Sequence, residues 1–141
     1  MHGESLTMKT QTLIDTRPDL DTYFLKVCKV IASRSTCDHR KVGAVLVIDG
    51  QIISAGYNGA PHGEEHCTEV GCSKPEHAVK FETCRAVHAE VNAIINAAIR
   101  GNSIKNATLY CTHAPCIMCQ RVLKNARIIR IVFSEEYENP R

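Results

Sequence analysis

The chain is expected to fold as an α/β domain, a three-layer α/β/α sandwich around a mixed central sheet. Three stretches predict it. Val42 to Ile48 is a continuous apolar run rich in β-branched residues, followed by Asp49-Gly50 and a second strand-like stretch, Gln51 to Tyr57. Leu20, Phe24, Val27 and Ile31 recur at helical spacing. The C-terminal third reads strand, helix, strand, which implies a right-handed crossover between parallel strands.

Residues 1–18 are polar and read as a flexible lead-in to a single domain over residues 19–141. The lead-in ends in Thr16-Arg17-Pro18-Asp19, a helix start with proline near the first helical position, and the helix runs to about Ser33. Asp49-Gly50 predicts a type I′ hairpin turn, and the unbroken apolarity of Val42 to Ile48 predicts a strand covered on both faces. Gly56 to Gly63 is loop, and a polar stretch rich in cysteine and histidine continues to about Cys84. A helix follows from about His88 to Arg100, with Val91, Ile94, Ile95 and Ala98 on one face and Gly101 as its stop. Ala107 to Thr112 reads as a strand, Cys116 to Ala126 as a helix, and Ile128 to Phe133 as a strand.

Composition narrows the function. The 141 residues are 44% apolar and 23% charged with a formal net charge of +2, which excludes a disordered polymer. That charge gives no basic stripe on which to expect nucleic-acid binding. No apolar run approaches the roughly 20 residues of a membrane span, and Met1-His2-Gly3-Glu4-Ser5 lacks the pattern of a signal peptide. Eight cysteines and seven histidines without an export signal point to metal rather than to disulfides.

Two short segments carry the chemistry: His88-Ala89-Glu90 and Pro115-Cys116-Ile117-Met118-Cys119, each at an expected helix start. Alone, each has an ordinary reading as a surface pair or a redox Cys-x-x-Cys. Together they match the pattern of zinc-dependent nucleobase deaminases. Cys116 and Cys119 lie three apart, on one helix face, and a helix N-terminus favours thiolates. His88 completes three zinc ligands and leaves the fourth position open, as in a catalytic rather than a structural zinc. His88 and Glu90 point in nearly opposite directions on a helix barrel, so both reach a metal only if it sits in front of the helix N-terminus. Glu90 then stands beside the open position as proton carrier, not ligand.

The chain resembles the deoxycytidylate (dCMP) deaminases. The resemblance rests on Ser33-Arg34-Ser35-Thr36-Cys37, Lys41-Val42-Gly43-Ala44-Val45, Gly56-Tyr57-Asn58-Gly59, Val87 to Ile94 and Thr112 to Cys119, and runs from about Asp19 to Tyr137. It implies a cytidine deaminase-like fold and hydrolysis of dCMP to dUMP and ammonia, which supplies thymidylate synthesis in the cytoplasm. It also implies that Asn58 contacts sugar or base. Arg34, Tyr137 and the backbone from Thr112 through Ala114 to Pro115 would hold nucleotide and phosphate. Each has a plainer reading: Asn58 serves its turn, Arg34 is a solvated helix-end residue, and Tyr137 lies near the chain end. Many members are homohexamers activated by dCTP and inhibited by dTTP. The family usually continues into a further helix and strand, whereas this sequence stops eight residues after Phe133.

Several such relatives carry a second, structural zinc. Cys37, Cys67, Cys72 and Cys84 are the candidate ligands here, with His66 and His77 as substitutes, while Cys28 and Cys111 are expected in the core. The stretch from His62 to Cys84 has too few large apolar groups for a core of its own, and a metal would order it. Four unlinked thiols are the alternative. The rival functions are another cytidine- or cytosine-type deaminase, a tRNA adenosine deaminase, for which +2 is a weak surface charge, and a non-catalytic zinc-stabilised binding module.

Overall fold

A computed structural model describes residues 5–11, 16–72 and 84–135. Its elements are α1 (Leu20–Ala32), β1 (Gly43–Ile48), β2 (Gln51–Tyr57), α2 (Cys67–Val70), α3 (Ala89–Arg100), β3 (Thr108–His113), α4 (Ile117–Asn125) and β4 (Arg130–Glu135). The strands form one sheet in the order β2-β1-β3-β4. β1 is antiparallel to β2 and to β3, and β3 is parallel to β4, so the sheet is mixed as expected.

The hairpin turns where the sequence places it. Asp49 and Gly50 have φ of 50° and 74°, the left-handed pair that a type I′ turn requires. β1 is buried almost throughout because its alternate side chains enter two separate cores. Val45 and Val47 join Tyr110 against Phe24 and Cys28 of α1. Ala44 and Leu46 join Leu109 and Cys111 against Ala89 and Ala93 of α3 and Leu123 of α4. Helices therefore cover both faces of the sheet, which gives the three layers.

Two helix faces differ from the sequence reading, for one physical reason. α1 buries Phe24, Cys28 and Ala32, with Val27 and Ile31 at the margin and Leu20 exposed. α3 buries Ala89, Ala93 and Ala97, while Ile95 and Ala98 face outward. Both helices approach the sheet at a glycine. A Cβ on Gly56 would lie 2.5 Å from the Ala89 carbonyl and the Ala93 nitrogen, and one on Gly43 would collide with the Cys28 carbonyl and the Ala32 backbone. Backbones this close admit only small residues between them.

Helix ends follow local chemistry. Asp19 is the N-cap of α1 and accepts from the Thr22 N–H at 2.8 Å, which leaves Pro18 one place outside the helix. Gly101 closes α3 at φ 71°, as expected. α2 falls in the polar, cysteine- and histidine-rich stretch for which no element was expected; its four residues are too few to show a period.

Candidate active site

His88 and Cys116 are not helical residues but N-caps, both extended, with ψ of 150° and 166°. This corrects the picture of His88 and Glu90 on one barrel. His88 leaves from the cap and Glu90 from the first turn, so one helix start delivers both. The Cys119 N–H points at the Cys116 sulfur at 3.5 Å, so that sulfur takes the position of a capping side-chain oxygen. A pair of hydrogen bonds between Gly59 and Val87, 3.2 Å and 2.8 Å, ties the loop after β2 to the approach to α3 and fixes Asn58 and His88 in neighbouring segments.

The His88 Nδ1 lies 3.2 Å from the Cys119 sulfur and 3.7 Å from the Cys116 sulfur. The three ligand atoms are all within 4.8 Å of one another. Two ligands on one tetrahedral zinc, at bond lengths near 2.0–2.3 Å, stand about 3.6 Å apart. The site therefore fits zinc in donor chemistry and spacing. The hydrogen bond with Cys116 raises the His88 imidazole above its ordinary pKa against the pull of burial. Cys116 is held well below the usual thiol range by hydrogen bonds from the Cys119 thiol, from His88 and from the Cys119 backbone. Cys119, as donor in that pair and buried, moves up. One thiolate is thus already favoured by the fold.

Glu90 is buried, 4% exposed, in the same neighbourhood. Its Oε1 accepts from the Cys111 thiol of β3 at 3.7 Å. Burial and the Glu90 charge hold Cys111 far above the usual thiol range, so it stays protonated and donates. Cys28, the other expected core thiol, is fully buried and pushed up to about 12 by burial.

A solvent-open cavity has His88, Glu90 and Cys116 in its wall, with Asn58, His113 and Ala114. Asn58 and Ala114 are among the residues lining it. Arg34 is exposed, Thr112 is buried, and neither is among the described residues lining this cavity. The Thr112 Oγ1 instead accepts from the Gly43 N–H at 3.2 Å. Tyr137 and His77 lie outside the described residues. Cys37, Cys67, Cys72 and Cys84 all line the cavity, yet among the described residues only His88, Cys116 and Cys119 converge as a metal-sized group. The Cys67 sulfur accepts from Arg85 at 3.6 Å. Arg85 and Arg40 also line the cavity, and the sequence reading singled out neither. Their one sequence signal is proximity to motifs, Arg85 three residues before His88 and Arg40 just before Lys41-Val42-Gly43.

Comparison with known proteins places this geometry. Residues 18–135 match the model of the cytidine and deoxycytidylate deaminase zinc-binding region. A deoxycytidylate deaminase of Saccharomyces cerevisiae is 38% identical over 123 residues, 86% of this chain; the chain spans only 39% of that relative's length. A deoxycytidylate deaminase of Mycobacterium phage D29 is 37% identical over 127 residues, which cover 85% of this chain and 98% of the relative. The crystal structure of dCMP deaminase from the cyanophage S-TIM5 in complex with dCMP and dUMP superposes with a TM-score of 0.69 at 28% identity, covering 87% of this chain and 86% of that one. With a match across most of its length and its His-x-Glu and Cys-x-x-Cys segments meeting at one point, the chain belongs to the cytidine and deoxycytidylate deaminase zinc-binding family.

Proposed function

We propose that the chain hydrolyses dCMP to dUMP and ammonia. The observation that carries this reading is the convergence of His88, Cys116 and Cys119 beside a buried carboxylate, Glu90, with His88, Cys116 and Glu90 in the wall of a solvent-open cavity. His88, Cys116 and Cys119 would hold zinc, which when bound supplies Lewis-acid activation of water. Two thiolates offset most of the metal's charge, so a separate proton carrier is needed. Glu90 takes the proton released as water adds to the amidine carbon of the cytosine. It returns that proton to the ring nitrogen, then takes the second proton from the new hydroxyl and passes it to the departing amine as the C–N bond breaks, so that water is consumed and ammonia leaves. The Cys111 thiol donates to that carboxylate from β3. Asn58 and Ala114 would border the nucleoside.

The closely related deoxycytidylate deaminases and the neighbour that holds dCMP and dUMP support this substrate over free cytosine, cytidine or tRNA. Supply of dUMP to thymidylate synthesis, a cytoplasmic site, a homohexamer and control by dCTP and dTTP belong to the same reading. No described helix is long and apolar enough to cross a membrane. A second zinc on Cys37, Cys67, Cys72 and Cys84 belongs to the same reading, although their sulfurs do not gather as a metal-sized group among the described residues; metal analysis showing two zincs per chain supports it, and one removes it. The substrate is tested by comparing turnover of dCMP, CMP, deoxycytidine and dCTP by absorbance, with and without added dCTP. Preference for dCMP is expected. Equal or better turnover of deoxycytidine would overturn the reading.

A further inference from the structure

Glu90 lines the cavity, where it is the only carboxylate among the described residues, yet its Oε1 accepts from a residue that does not line it, Cys111, at 3.7 Å. Cys111 is fully buried and stands outside the metal-sized group of His88, Cys116 and Cys119. Its surroundings are apolar, the core of Ala44, Leu46, Leu109 and Leu123 with Ala89 and Ala93 of α3. Its backbone is paired on both edges, because β3 lies between β1 and β4 and Cys111 stands opposite Ala44 on one and Phe133 on the other. The donor is thus fixed in the interior of the sheet, and the acceptor is in the first turn of α3.

We propose that Cys111 is a positioning residue for the deamination: its S–H holds one oxygen of Glu90 from the core, so that the carboxylate keeps the orientation in which it takes and returns protons. The inference rests on the dCMP reading and adds a residue to it. A glutamate side chain has three rotatable torsions, and a carrier that serves the water, the ring nitrogen and then the amine gains when that freedom is lost before substrate arrives. Cys119 also neighbours Glu90, but as a zinc ligand it is a thiolate with no hydrogen to donate. Cys111, outside the ligand set, keeps its hydrogen, and burial together with the Glu90 charge favours the protonated thiol. Valine would suit a buried strand position as well as cysteine does, so what the thiol adds here is the donor.

The test compares kcat and KM for dCMP in zinc-loaded wild type, Cys111→Val, which fills similar space without a donor, and Cys111→Ser, which keeps one. Cys111→Val is expected to lower kcat about fivefold, the scale of one net hydrogen bond, with zinc content and KM unchanged, and Cys111→Ser to stay near wild type. A fall of less than threefold in Cys111→Val, or an equal fall in Cys111→Ser, overturns the proposal. Placed on Glu90→Gln, Cys111→Val is expected to cost nothing more, whereas a further threefold loss would show that it acts apart from Glu90 and overturns the proposal as well. Should Cys111→Val not fold, Cys111→Ala is read by the same limits. The contact is also read without turnover, from the S–H stretching band assigned to Cys111 by the infrared difference between wild type and Cys111→Ser. That band is expected to shift when Glu90→Ala removes the acceptor, and an unmoved band overturns the proposal. Wild type inactive on dCMP would sink the functional reading instead, and the infrared arm then decides the contact alone.

Discussion

The side-chain amide of Asn58 accepts from the Ser35 hydroxyl at 2.6 Å and from the Val42 N–H at 2.9 Å, and donates to the Arg40 carbonyl at 2.7 Å. It therefore ties the α1–β1 connection to the loop after β2, whatever it does for a substrate. Asn58→Ala leaves several buried groups unpaired and is expected to cost at least about 2 kcal/mol of stability, read as a lowered Tm. An unchanged Tm would show that the amide serves only the ligand. At the metal centre, Cys116 has two tasks, capping α4 and supplying a sulfur. Cys116→Ala is expected to drop zinc at this site to background by metal analysis, and full retention would contradict its place as a ligand. The metal-site side chains were legible in the sequence because their chemistry is local: a cap and the turn after it are one short segment. The N-cap conformation of His88 was not legible, since a histidine opening a helix and one inside it look alike in letters.

At the scale of elements, the hairpin and the stop of α3 could be read directly, because Asp49-Gly50 and Gly101 are where the backbone needs positive φ. The buried faces of α1 and α3 could be read only in part: Phe24, with Val27 and Ile31 packed beside it, and Ile94 lie on the core side as expected, while the alanines and Cys28 carry the rest. Periodicity points to the largest apolar side chains, while these helices dock by closeness of backbone, through alanines set against Gly43 and Gly56. Along the edge strand β2, Asn92 and Asn96 of α3 donate to the Tyr57 and Ala55 carbonyls at 2.8 Å each, which adds polar matching to that close approach. Gly56→Ala is accordingly expected to lift α3 from the sheet and to lower stability by about 1–3 kcal/mol in denaturant unfolding, with reduced activity, because α3 presents His88 and Glu90. Unaltered stability would mean that the helix can shift at no cost.

Across the whole molecule, Arg130 of β4 reaches Asp21 of α1 with contacts of 2.6 Å and 3.0 Å, and Tyr110 of β3 donates to the same carboxylate at 2.6 Å. The bonds from Arg130 and Tyr110 lower the Asp21 pKa from 3.8 to about 2. A carboxyl depressed on folding stabilises the fold fully above its unfolded pKa, and that contribution fades as pH falls from about 4 to about 2. Wild type should therefore lose stability more steeply than Asp21→Asn across that interval in acid unfolding; identical slopes would remove the clamp from the ledger of the fold. The cavity is a property of this same scale. Its wall is assembled from segments that include the α1–β1 connection and the approach to α3, far apart in the chain, so Arg40 and Arg85 carried little signal in the sequence beyond proximity to motifs, while the zinc motifs carried their own.

The most direct measurement is ammonia release from dCMP by wild type and Glu90→Gln, each with its zinc counted. Glu90→Gln is expected to match wild type in metal and to turn over at least about a hundredfold more slowly. A zinc-loaded Glu90→Gln protein as fast as wild type would contradict the role of that side chain as the proton carrier.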